Sequence, residues 1–438
     1  MNKTTSNIGI IGGGMLGMTL AYRLNQKGYQ ITLYEAAPFL GGLAGAWQLE
    51  DIVWDRYYHV TLLSDLYLRN ILSDLNLEKD MEWVETKTGF YVNGKLYSMS
   101  NSLEFLSFPP LSLLDKIRLG TNIFYASKIK NWRKLENILV EDWLKKWSGN
   151  NTFQKIWLPL LKAKLGDAYQ KTSAAFIWAT IQRMYAARRT GLKKEMFGYV
   201  PGGYTRILDS FSKKIENMGV KIKTNYIANH VEQHLNKKIS VKFQNEQTGI
   251  FDNLILTIPA PIITKICPQL TETEKNKWNN IQYLGVICAS VLLKKPLSRY
   301  YVTNITEDWV PFTGIIEMSA LVDKGKYFNN KSLVYLPKYV SPQDAIFKTS
   351  DDDIRHNFIN TLQRMHPHLN SDDIMTFKIS RAKHVFALPT LNYSEKLPSM
   401  KTSIPGLFII NAAHIVNGTL NVNETIQLAE RALNKYFG

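Results

Sequence analysis

Gly12-Gly13-Gly14-Met15-Leu16-Gly17 stands directly behind a short apolar run, Ile8-Gly9-Ile10-Ile11, and this spacing of glycines suits a pyrophosphate. Gly12 permits a tight turn, Gly14 lets backbone approach phosphates, and Gly17 lets a helix pack closely on a strand. Glu35 closes a second apolar run, Gln30-Ile31-Thr32-Leu33-Tyr34, and lies 18 residues beyond Gly17. A carboxylate there accepts hydrogen bonds from ribose hydroxyls and repels a 2′-phosphate. Such chemistry requires a strand, a glycine turn, a helix and a second strand. The sequence provides them, with a helix expected from Met18 to Gln26 and Gly28 as its C-cap. The helix N–H groups and dipole would then face the phosphates.

Glu35 is followed by Ala36-Ala37-Pro38-Phe39-Leu40-Gly41-Gly42-Leu43-Ala44-Gly45. This second glycine pair resembles the extended fingerprint of the FAD-dependent oxidoreductase superfamily of flavin amine oxidases, protoporphyrinogen oxidases, carotenoid desaturases and UDP-galactopyranose mutases. The resemblance implies FAD as cofactor, with Gly41 and Gly42 against its diphosphate and ribityl region. It continues through Tyr199-Val200-Pro201-Gly202-Gly203-Tyr204, a helical stretch 205–218, a strand 220–225 and Thr257-Ile258-Pro259. In that block the backbone at Ile227 is implied to meet the adenine. Near the C-terminus it reappears in His384-Val385-Phe386-Ala387-Leu388-Pro389, then Pro405 to Asn411, Gly418 and a last helix over about 424–436. Asn423 is the expected N-cap. Superfamily members end that strand in Gly-Asp, whose carboxylate binds the ribityl chain. Here Asn411 and Ala412 stand in that place, a departure that bears on cofactor affinity. The start of the last helix, at Val422, is implied to face the flavin.

The resemblance implies an α/β fold: a discontinuous Rossmann-like FAD-binding domain (1–95, 196–280 and 380–438) with an inserted mixed α+β substrate domain. That insertion would comprise a helical part, 96–195, and a sheet with helices, 281–379. Within the latter, strands are expected over 286–293, 314–318 and 333–336, and a helix over 351–365.

Trp54-Asp55-Arg56-Tyr57-Tyr58-His59 falls where mutase and desaturase relatives carry an aromatic, histidine-containing stretch near the isoalloxazine. On that resemblance His59 and Arg56 are the candidate catalytic residues, His59 for proton transfer. A histidine satisfied within the core competes with this assignment. The helix-like run 176–189 carries Arg183, Arg188 and Arg189, candidate anchors for phosphate or carboxylate, with Trp178 and Tyr185 as candidate substrate contacts. Arginines ending a solvated helix would give the same pattern. From Ser112 to Leu135, Leu113, Ile117, Phe124 and Trp132 alternate with Lys116, Arg118, Lys128, Lys130, Arg133 and Lys134. A basic amphipathic helix of this kind could lie on an anionic membrane, or pack on the core with a solvated basic face.

The chain has 438 residues, 45% hydrophobic and 21% charged, which excludes wholesale disorder. Lys plus Arg exceed Asp plus Glu by 16, favouring an anionic partner. Two cysteines cannot build a disulfide framework. No histidine or cysteine spacing suits a metal, and neither a phosphate loop ending in Gly-Lys nor a nucleic-acid module appears. No signal peptide and no apolar run of about 20 residues is seen. The expected location is cytoplasmic, with peripheral contact to the inner membrane face left open. The expected activity is FAD-dependent dehydrogenation or desaturation of a largely apolar, lipid-like or phosphorylated small molecule carrying an anionic group. Dioxygen or a quinone would reoxidise the flavin. Two alternatives stand beside it: a non-redox mutase acting on a nucleotide-sugar, and a catalytically weak flavin-binding scaffold.

Overall fold

A computed structural model describes residues 6–187, 195–416 and 419–438, without the side chains of residues 102, 186 and 187. Five strands form one parallel sheet in the order Lys221–Lys223, Gln30–Tyr34, Asn7–Ile11, Asn253–Leu256, Leu407–Ile409. Its central strands are near-continuous apolar runs because both faces are covered. On one face Ile8, Ile10 and Leu33 pack with Met18, Phe211 and Ile426 from the helices Met15–Gln26, Gly203–Asn217 and Val422–Tyr436. On the other, Ile11, Leu254 and Leu256 pack against Val231, Val241 and Phe243 of a three-stranded antiparallel sheet.

A seven-stranded sheet lies beside this body, in the order Ile374–Ala387, Tyr283–Leu293, Ser332–Val340, Gly314–Glu317, Val302–Ile305, Thr88–Val92, Lys95–Ser98. Tyr283–Leu293 is buried along all 11 residues. Its odd and even side chains face opposite ways. Val286, Cys288 and Leu292 meet Trp54, Tyr57 and Tyr58, while Ile287, Ala289 and Val291 meet the helix Asp351–Met365. The strands at 88–98 join this sheet, so the first stretch of chain leaves the parallel-sheet layer before residue 95. The strand Ile374–Ala387 likewise runs across the boundary expected at 379.

Between residues 102 and 187 the chain is chiefly helical, around a core of Trp143, Phe153, Trp157 and Trp178. The helix Leu113–Lys128 reverses the usual polarity. It buries Asp115, Lys116, Asn122 and Ser127 beside Leu119 and Ala126. Most of the buried groups find partners, Asn122 Oδ1 being left without one: Asp115 accepts from Ser112 Oγ (2.6 Å) and Asn151 Nδ2 (2.6 Å). Lys116 Nζ donates to the Leu106 carbonyl (2.6 Å) and Asn122 Nδ2 to Ser148 Oγ (2.6 Å). Outward stand Leu113 (66% exposed), Leu114 (58%), Ile117 (56%) and Phe124 (56%), next to exposed Leu103 and Leu106. Arg118, Lys128, Lys130, Arg133 and Lys134 do face solvent, but the expectation that Leu113, Ile117 and Phe124 form an inner face is corrected, since all three are exposed. Among the described residues no helix is long and apolar enough to cross a membrane.

Candidate functional site

The two glycine motifs, 24 or more residues apart in sequence, are in contact in the fold. Gly41 N–H donates to the Gly13 carbonyl (2.8 Å), and Gly14 pairs with Gly41 as an isolated parallel bridge. Gly12 adopts φ +114°, and a Cβ there would lie 2.3 Å from Thr257 Oγ1. Thr257 Oγ1 in turn donates towards the Ile11 (3.0 Å) and Gly12 (3.1 Å) carbonyls, which gives the Thr-x-Pro segment its part in fixing the turn. A Cβ on Gly17 would sit 1.9 Å from the Gly12 carbonyl oxygen, so helix and turn touch there.

Gly14 differs from these. A Cβ on it would meet only Gly42 Cα, at 3.9 Å. The helix that starts beside it begins at Met15, three residues earlier than expected, with no side-chain cap and no acid in its first turn. Its unpaired N–H groups and positive end thus face an open cradle, a donor set that suits a diphosphate. Glu35 lies at the cradle's edge and accepts from Gly13 N–H (2.7 Å) and Ala37 N–H (2.8 Å). Ile227 follows Tyr226, whose N–H donates to the Glu35 carbonyl (2.9 Å), so Glu35 and Ile227 share the end of the sheet where a ribose and adenine would lie.

Arg56 belongs to this group. Its Nη2 donates to the Gly42 carbonyl (2.9 Å), its guanidinium lies 5.1 Å over the Phe39 ring, and its buried Nε has no partner. Three residues on, His59 Nδ1 lies 3.6 Å from Asp55 Oδ2, and its ring leans on Tyr204 at 4.8 Å between centroids. Asp55 is only 2% exposed. Its Oδ1 accepts from Tyr204 N–H (2.8 Å), and its carbonyl accepts from Tyr335 Oη (2.6 Å). Gly203, at φ +65°, allows that approach, because a Cβ there would come within 2.9 Å of Asp55 Oδ1. Sequence reasoning quoted Asp55 but gave it no role. Its signal was its place four residues before a candidate histidine.

Phenols line the neighbouring wall. Tyr57 Oη accepts from Ser380 Oγ (2.7 Å), and Tyr58 Oη pairs with Tyr339 Oη (3.0 Å). Burial pushes the Tyr58 hydroxyl up to about 12 and raises that of Tyr339 well above the ordinary phenol value, so both stay protonated near neutrality. Lys164, from the helix Leu158–Leu165, holds its Nζ 3.4 Å from the Tyr339 ring centroid. Sequence reasoning missed it, because LPLLKAKL does not show which of its lysines turns inward.

The other candidates lie elsewhere. Arg183 forms a bidentate ion pair with Asp65 (2.9 and 3.0 Å), and Asp65 also accepts from Leu62 N–H (2.8 Å). Burial raises the Asp65 carboxyl pKa although Arg183 pulls it down. The guanidinium expected to anchor substrate is thus occupied by the fold. Trp178 is a core residue whose Nε1 donates to the Ile129 carbonyl (3.2 Å), and Tyr185 is half-buried on the same helix. Arg188, Arg189 and Gly418 fall outside the described residues. Asn411, 2% exposed, donates to the Ile258 carbonyl (3.0 Å) and accepts from Ala413 N–H (3.1 Å), which turns its amide to the backbone. Asn421, not Asn423, caps the helix Val422–Tyr436, accepting from Glu424 N–H (3.0 Å). Asn423 instead accepts from Tyr67 (2.9 Å) and Leu68 (3.2 Å) N–H at the start of the helix Leu66–Asp74. Among the described residues no group of three or more metal-ligating side chains occurs.

A family model described as flavin containing amine oxidoreductase matches residues 16–432. The chain is 22% identical over 422 residues to zeta-carotene desaturase of Synechocystis sp., covering 82% of each. Among solved structures it resembles an oxidoreductase from Methanosarcina mazei (TM-score 0.75, 16% identity, 98% of this chain and 100% of that one). It also resembles reduced UDP-galactopyranose mutase (TM-score 0.73, 15% identity, 99% and 97%).

Proposed function

The chain belongs to the flavin containing amine oxidoreductase family and is FAD-dependent, and from that premise we propose that it dehydrogenates a largely apolar small molecule carrying an anionic group. The observation that carries this proposal is the set of phenols about the Asp55–His59 pair, Tyr204 against the imidazole and Tyr335 on the Asp55 carbonyl, with Tyr335, Tyr57, Tyr58 and Tyr339 continuing in one apolar cluster. Bound FAD supplies a two-electron acceptor that dioxygen or a quinone can reoxidise. Gly12, Gly14 and Gly17 with the helix start at Met15 hold the diphosphate, Glu35 and Ile227 the adenosine end, and Gly41, Gly42 and Arg56 the stretch beyond. Asn411 and the helix start at Val422 bound the far end through backbone. His59, its ring held against Tyr204 and its Nδ1 3.6 Å from the Asp55 carboxylate, is the group that would exchange a proton with the substrate. The phenol rings would set an apolar flank beside the reacting carbon or nitrogen.

The nucleotide-sugar alternative drew on arginines as phosphate anchors, and the described one, Arg183, is engaged by Asp65. Substrate access fits the outward apolar face at 103–124, which we propose rests on an anionic lipid surface. Exposed Arg118, Lys128, Lys130, Arg133 and Lys134 flank it and complement such a surface in charge.

Purified protein should be yellow and release FAD. Anaerobic addition of a lipid extract containing the substrate should bleach the flavin, and dioxygen or a quinone should restore it. Turnover that needs prior reduction and leaves the flavin reduced would decide for the mutase instead.

A further inference from the structure

Lys164 is an enclosed cation without a counter-ion. Among the described residues its ammonium makes no hydrogen bond and no ion pair, and its one specific contact is the face of Tyr339 at 3.4 Å. Desolvation alone lowers its pKa to about 7. Yet Lys164, Tyr58 and Tyr339 remain partly accessible although protein crowds them. Solvent can therefore reach the ammonium at a place that protein otherwise crowds. A lysine kept unpaired there is unfavourable unless something else completes it.

The neighbouring hydroxyls indicate what that is. Tyr58 and Tyr339 share one hydrogen bond, at 3.0 Å. Two hydroxyls carry two hydrogens, and one serves the mutual bond, so one O–H is left to donate. A cation and a spare hydroxyl donor side by side match the two oxygens of a carboxylate. A phosphate dianion would call for a second cation or a guanidinium fork, and the described arginine nearest in role, Arg183, is paired with Asp65.

We propose that Lys164, with the Tyr58–Tyr339 pair, binds the carboxylate of an apolar acid and so orients the substrate in the reaction space. This rests on the dehydrogenase reading and gives it a substrate class. Lys164 is a binding residue that neither gains nor loses electrons in the reaction.

The test uses FAD-loaded protein with decanoate, decanol and methyl decanoate as probes, read by flavin difference absorbance and by calorimetry. Decanoate should perturb the flavin and bind about ten- to a hundred-fold more tightly than either neutral probe, the range of one charge-assisted contact. Lys164→Met should remove that preference and leave decanol affinity unchanged, while Lys164→Arg keeps part of it. Lys164→Gln serves as a second neutral variant should the methionine protein aggregate. Equal decanoate affinity in wild type and Lys164→Met, with FAD still bound, overturns the inference and leaves the dehydrogenase reading intact. Protein that takes up no FAD overturns both.

Discussion

Single atoms decide most at the cradle. Gly14 and Gly17 have different tasks: a Cβ on Gly17 strikes backbone at 1.9 Å while one on Gly14 enters open space. Gly14→Ala should therefore keep its melting temperature without ligand and lose at least about tenfold in FAD affinity, and Gly17→Ala should unfold at lower temperature. Equal melting temperatures would show that the helix can shift away. At the Asp55–His59 pair, His59→Ala should lower turnover about 10²- to 10⁴-fold with FAD content unchanged, the range of a lost acid–base group. Rapid turnover in that variant would leave His59 a packing residue. Lys164 supplies a pH test. Its folded pKa, about 7, lies below the unfolded lysine value, so folding disfavours the charged form. The destabilisation is complete below pH 7 and fades as pH rises towards the ordinary lysine range. Lys164→Met should thus melt higher than wild type at pH 6, with the difference shrinking by pH 9. A pH-independent difference would mean that Lys164 titrates normally.

Two helices show what elements contribute beyond propensity. On Leu113–Lys128 Asp115, Lys116 and Asn122 point inward because Asn151, the Leu106 carbonyl and Ser148 await them, and Leu113, Leu114, Ile117 and Phe124 are left outside. Sequence periodicity reveals an amphipathic helix but not which side the molecule takes, so that part was not legible. Replacing Leu113, Ile117 and Phe124 together with Glu should abolish sedimentation with phosphatidylserine vesicles and leave the melting temperature unchanged or raised. High salt should weaken wild-type binding. Retained binding by the triple variant would place the lipid contact elsewhere. The second helix, Ala174–Ala187, is fastened by Arg183 to Asp65. Removing one partner strands a buried carboxylate, so Arg183→Ala should cost about 3 kcal/mol in denaturant unfolding, the lower range for a broken buried pair. A pure rise in Michaelis constant with unchanged stability would return Arg183 to the substrate side.

Across the whole molecule, the cofactor half was readable because its signals are local: glycines at fixed offsets, an acid ending a strand, and apolar runs matching parallel strands. The substrate half was less so. Thr88–Val92 and Ile374–Ala387 reach one sheet from opposite ends of the chain, and only tertiary pairing unites them. Asp55 and Lys164 likewise gain meaning from neighbours far away in sequence, Tyr204, Tyr335 and Tyr339. Because FAD would bridge pieces of chain that otherwise meet only through packing, stripping it should lower the melting temperature. Free FAD at about a hundred times its dissociation constant should restore about 2.7 kcal/mol. An apoprotein as stable as the holoprotein would count against that role.

The parallel sheet takes its edge strand from Leu407–Ile409 and its covering helix from Val422–Tyr436, after some 150 intervening residues that build another layer. On the ribosome, then, the N-terminal cradle must wait. Its strands Asn7–Ile11 and Gln30–Tyr34 are made long before Leu407–Ile409 and Val422–Tyr436, and the helix Met15–Gln26 covers only part of them meanwhile, so the nascent polypeptide carries an unfinished nucleotide pocket until those two pieces arrive. Loading of the yellow prosthetic group becomes a late event, coupled to arrival of the helix Val422–Tyr436.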